Sequence, residues 1–105
     1  MKKYKYVKVN YTTVWSTDPS IVDWIYDEIK KIISTCAIRN EDFNLKGERI
    51  GFQLHQLQDK DSQVADWIIK LLCENGFEPF TFTYYGGGQS VLSIGHFHFR
   101  KLIEE

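Results

Sequence analysis

The chain has 105 residues, 13 basic against 14 acidic and a formal net charge of −1, with 43% hydrophobic and 15% aromatic residues. That is enough for one domain with its own core, and too little basic excess for a protein that grips nucleic acid or anionic lipid mainly through charge. No apolar run approaches the roughly 20 residues of a membrane span, and Met1-Lys2-Lys3-Tyr4-Lys5 enters a strand pattern directly, so the expectation is a cytoplasmic chain without a secretory segment.

Residues 3–15 alternate, with Val7, Val9 and Tyr11 to one side and Tyr4, Tyr6, Lys8, Asn10 and Thr12 to the other. This predicts one strand with a core face and a polar, aromatic face. Asp18-Pro19 ends it: the carboxylate can accept from first-turn amides, and proline suits the first helical position. Ile21, Trp24, Ile25, Ile29, Ile32, Ile33 and Cys36 then recur at helical spacing, which predicts a helix over 19–36. In the polar stretch 37–48, Phe43 and Leu45 are expected to anchor a short edge strand before a turn at Lys46-Gly47-Glu48.

Ile50, Phe52 and Leu54 alternate against Gly51, Gln53 and His55, a second strand over 49–57. Asp61 caps a second helix whose apolar face is Val64, Trp67, Ile68, Leu71 and Leu72, and Asn75-Gly76 closes it. Phe80, Phe82 and Tyr84 alternate with Thr81, Thr83 and Tyr85, Gly86-Gly87-Gly88 makes a turn, and a return strand runs over 90–101. On that strand Phe97 and Phe99 face one side, while Leu92, Ile94, His96, His98 and Arg100 face the other. Leu102 to Glu105 read as a frayed or short helical tail.

Asp18-Pro19-Ser20-Ile21-Val22-Asp23-Trp24-Ile25 returns as Asp61-Ser62-Gln63-Val64-Ala65-Asp66-Trp67-Ile68. Each copy follows a strand and opens a helix, so the chain reads as a single domain with a pseudo-repeat, 3–46 and 49–85, plus the strand 90–101. Two such units side by side predict an α+β fold: a ferredoxin-like split β-α-β sandwich, two helices on one face of a five-stranded, mainly antiparallel sheet. The repeated aspartates (Asp18, Asp23, Asp61, Asp66) are then caps and first-turn acids that complement the helix dipole.

The function is expected on the sheet face without helices. Tyr4, Tyr6, Lys8, His96, His98 and Arg100 project there, a mixture of rings and cations suited to an anionic small molecule, a nucleotide or a protein partner. Nothing points to catalysis in particular. His96 and His98 share a face and could chelate a metal with a third ligand, but His55 lies three strand spacings away, on the order of 14 Å, so neither metal nor cofactor is expected. A small hydrolase or nuclease using the two histidines is the alternative from another class. An RNA-binding sheet platform is a further one, although the chain meets the aromatic RNP1 pattern only at Gly51-Phe52. Gly86–Gly88 lacks the lysine and following helix of a phosphate loop. Cys36 and Cys73 have no metal spacing and read as reduced, partly buried thiols. Leu92 and Ile94, on a strand expected at the sheet edge, suggest a homodimer formed there.

Overall fold

The N-terminal alternation folds back on itself at Asn10. A computed structural model of the chain describes residues 2–10, 13–32, 38–54, 61–84 and 95–104. In it the backbone N–H of Asn10 donates to the Thr13 carbonyl at 2.9 Å, and the Thr13 N–H donates to Asn10 Oδ1 at 2.8 Å. A side chain that bonds the backbone three residues on in this way favours reversal over extension. The predicted single strand is therefore two, β1 (Lys3–Val9) and β2 (Thr13–Trp15), paired antiparallel with Val9 opposite Val14 and Lys8 opposite Trp15.

Helix α1 (Pro19–Lys30) follows. Asp18 caps it, accepting from the Ser20 N–H at 3.0 Å, with Pro19 at the first helical turn. It is shorter than the predicted 19–36, and Ile32 is exposed. Then come β3 (Ile38–Phe43), β4 (Arg49–Leu54), α2 (Asp61–Glu74), β5 (Glu78–Tyr84) and β6 (Gly95–Glu104). Gly76 stands just beyond α2 at φ +88°, a left-handed conformation that glycine adopts without cost.

The six strands form one antiparallel sheet in the order β3-β4-β2-β1-β6-β5. This overturns the five-stranded ferredoxin-like sandwich, for two physical reasons. The Asn10 reversal doubles the first strand, and β6 enters the sheet between β1 and β5 instead of adding at its rim. The reading of the C-terminal strand as an edge, and with it the edge-strand dimer, loses its basis; the edges are β3 and β5. Leu92, Ile94, His55, Cys36 and Gly86–Gly88 lie outside the described residues. As far as Glu104, the expected frayed or helical tail is instead strand, with Leu102 opposite Tyr4 and Glu104 opposite Lys3. Phe43 and Leu45 do not anchor the β3 edge, since both are exposed, and Cys73 is an exposed free thiol.

The core is one cluster. Val7, Val9, Val14, Phe52, Leu54 and Phe99 from the sheet meet Ile21, Val22, Ile25 and Ile29 of α1, Ile68 and Leu72 of α2, and Phe77. Cross-strand pairs Val9–Val14, Val14–Phe52 and Val7–Phe99 place these sheet residues on one face, so both helices cover that face. Asp23, predicted as a first-turn acid, instead accepts from Arg49 at 2.8 Å and ties α1 to β4. Arg49 also pairs with Glu41 at 2.6 Å and lies 4.0 Å from the Tyr26 ring. Burial works against its charge, but the two carboxylates outweigh that and hold the guanidinium above its ordinary value. No helix among the described residues is long and apolar enough to cross a membrane.

Candidate functional site

The opposite face of the sheet carries a row of rings. In antiparallel pairing, residues directly opposite share a face, and β1 and β6 set Lys8 opposite His98, Tyr6 opposite Arg100 and Tyr4 opposite Leu102. All six residues predicted for this face, Tyr4, Tyr6, Lys8, His96, His98 and Arg100, are thus brought onto two adjacent interior strands. The Tyr6 ring stacks on His98 with centroids 5.7 Å apart and planes 27° apart. It also meets Trp15 edge-on at 6.5 Å and Phe80 at 6.1 Å. Phe80 in turn lies 6.2 Å from His98. Trp15, Tyr6, His98 and Phe80 therefore form a continuous aromatic surface spanning β2, β1, β6 and β5.

Cations flank it at both ends. Lys8 Nζ sits 4.8 Å from the Trp15 ring centre. The Arg100 guanidinium lies 4.7 Å from Tyr4 and 5.0 Å from Phe80, while its Nε donates to Glu78 at 3.0 Å. These contacts hold the charged groups beside ring faces, where the quadrupole attracts them.

Trp15 and Phe80 were not legible as members of this face. Extending the early alternation through residue 15 turns Trp15 toward the core; the reversal at Asn10 inverts that parity, so Val14 goes inward and Trp15 outward. The trace of this in the sequence is the switch from odd-numbered apolar positions, Val7 and Val9, to an even one, Val14. Phe80 is displaced by a bulge: the β5–β6 register shifts between Pro79 and Thr81, opposite Phe99 and His98. An extra residue there lets Phe80 lie over the open face while Phe82 pairs with Phe97 on the other. Proline in a strand is the sequence signal for such a bulge. Gly51 completes the surface. It faces Trp15 across the β2–β4 pair, and a Cβ built on it would stand 2.9 Å from Trp15 Cδ1, so only glycine leaves room for the indole as it lies.

The histidines are held, not loose. His98 Nδ1 is bonded to the Tyr6 hydroxyl, and Nε2 to Thr83 Oγ1 at 2.5 Å. A neutral imidazole, donor at one nitrogen and acceptor at the other, satisfies both hydroxyls. His96 Nε2 meets the Asn10 amide at 3.3 Å. Burial, then the Lys8 ammonium, and for His96 also the neighbouring His98, hold both imidazoles below their ordinary value. Both effects favour the neutral form. Among the described residues no group of three or more His, Cys, Asp or Glu gathers in metal-binding range. No known protein family matches the chain, and no match was found among the curated proteins or the solved structures.

Proposed function

We propose that this domain is a non-enzymatic binding module, and that its helix-free sheet face takes a flat, negatively charged ligand of the nucleotide class. The observation that carries this reading is the continuous run Trp15–Tyr6–His98–Phe80 with a cation at each end. Rings give a base a stacking surface worth about 1–3 kcal/mol per stacked base, and Lys8 and Arg100 supply charge for a phosphate. Tyr4 and Phe80, 38% and 43% exposed, present ring area to solvent.

His98 suits this role better than a hydrolytic one. A general acid or base needs a ring nitrogen within reach of substrate, and on His98 both nitrogens are engaged by protein hydroxyls. The His98 imidazole adds ring surface to this face.

The test is titration with adenosine, guanosine, cytidine and uridine monophosphates, followed at the Trp15 indole N–H by NMR. Shifts at Trp15 that Tyr6→Ala and Phe80→Ala each weaken at least tenfold in apparent affinity support the reading. No shift at Trp15 with any of the four sinks it. Single-stranded oligouridine, run in parallel, separates a mononucleotide site from an RNA platform. Light scattering with and without nucleotide identifies a second copy of the chain as the competing occupant of the same rings.

A further inference from the structure

The same two strands, β1 and β6, carry a second charged feature on the helix side. Lys5 and Lys101 stand directly opposite each other in the β1–β6 ladder. Like charges at such a pair are destabilising, and among the described residues neither lysine has a carboxylate partner. Both are half-buried. They line a cavity of about 180 Å³ together with Ser20, Ile21 and Trp24 of α1 and Asn75 and Phe77 after α2.

The cavity is built on fixed parts. Trp24 stacks on Phe77 with centroids 6.3 Å apart and planes 15° apart. Lys101 runs beside Gly76, where a Cβ would come within 3.3 Å of its Cε, and its Nζ lies 5.9 Å from the Phe77 ring. Gly76 thus leaves the lysine stem its channel. The start of α1 contributes little free donor capacity, since Asp18 already accepts from both the Ser20 N–H and its hydroxyl. The charge in the cavity comes from the two lysines.

We infer that this cavity binds a small oxyanion of phosphate size, held between Lys5 and Lys101. Its volume of about 180 Å³ lies below the roughly 300–1,000 Å³ of sites for drug-sized ligands and suits a phosphate or sulfate. A bound anion also relieves the repulsion that the strand register imposes on the two ammonium groups. The site lies on the opposite face from the aromatic surface and does not depend on the nucleotide reading.

The experiment uses inorganic phosphate against sodium chloride at matched ionic strength, with two readouts. Phosphate should shift the Trp24 indole N–H and leave Trp15 in place, and it should raise the melting temperature above that in chloride. In Lys5→Gln/Lys101→Gln the apparent affinity for phosphate should fall at least tenfold, while the melting temperature in chloride equals or exceeds that of the unaltered chain. That last measurement shows that the double variant folds. Phosphate shifts at Trp15 in place of Trp24, shifts matched by chloride, no shift at all, or full phosphate affinity in the double variant each overturn the inference. A double variant that melts lower in chloride also counts against it, because the lysines would then stabilise the fold without an anion.

Discussion

Gly51→Ala puts the shape of the aromatic surface to a direct test. In a strand interior alanine is ordinarily the better residue, by roughly 0.5–1 kcal/mol, because glycine loses more backbone freedom on folding. Here the new methyl would stand 2.9 Å from Trp15 Cδ1 and 3.2 Å from the Val14 carbonyl oxygen, closer than packed atoms tolerate. Forcing a methyl into a filled site costs about 1–3 kcal/mol, so strain exceeds the intrinsic gain. For a domain of this size each kcal/mol lost lowers the melting temperature by roughly 4–8 °C. We expect Gly51→Ala to melt lower than the unaltered chain, with the Trp15 indole resonance displaced and nucleotide binding weakened. The cause is separable by a double-mutant cycle. In a Trp15→Ala background the main clash is gone, and Gly51→Ala should become neutral or stabilising. If Gly51→Ala melts at or above the unaltered chain and the Trp15 resonance stays where it was, the indole does not lie over Gly51 and the surface is not shaped as described.

Two further outcomes follow from the same geometry. His96 and His98 titrate below the unfolded histidine value of about 6.5, so as pH falls below that value the unfolded chain takes up protons that the folded chain refuses. Their stabilising contribution is complete above about pH 6.5 and is lost as pH falls toward the folded values. Denaturant midpoints from pH 7.5 to 5 should drop in the unaltered chain and drop less in His96→Gln/His98→Gln; parallel curves would contradict the assignment. Asp18→Ala removes the α1 cap, which accepts at 3.0 Å from Ser20, and should cost about 1 kcal/mol by urea titration; a loss under roughly 0.3 kcal/mol would mean that the carboxylate does not cap the helix.

Much of the candidate site was legible because alternation is a strict signal within an unbroken strand. Tyr4, Tyr6 and Lys8 share a face by period two, as do His96, His98 and Arg100, and both sets emerge on the open side of the sheet. What alternation does not carry is a change of phase. Asn10 supplied one by bonding the Thr13 backbone, and Trp15 crossed to the other face as a result. The bulge after Pro79 supplied another, and Phe80 moved with it. Sheet order was the least readable property, since it depends on which strands find each other across long loops. β6 is interior because its Phe99 packs opposite Val7 in the core and its His98 opposite Lys8, a preference local periodicity does not encode. The start of α1 and the end of α2 were read well for the opposite reason: Asp18-Pro19 and Asn75-Gly76 act within a single turn.

The register between β1 and β6 connects the two binding proposals. Along β1, Tyr4, Tyr6 and Lys8 go to the aromatic surface, while Lys5, Val7 and Val9 go to the helix side. Along β6, His98, Arg100 and Leu102 oppose the first set, and Phe97, Phe99 and Lys101 oppose the second. A slip of one residue would exchange the faces and bury a lysine where Val7 now lies. Val7 and Phe99, 0% and 1% exposed and directly opposite each other, make that slip prohibitive, because either strand moving alone would leave a cavity and insert a charge in the core. The register shift between Lys3 and Tyr4 lies at the outer end of the ladder, beyond the rings, so it does not disturb this division. The buried pair therefore does more than hold the sheet. By fixing the phase of both strands it opposes Lys5 to Lys101 over the cavity on one side, and gathers the tyrosines, histidines and Arg100 on the other.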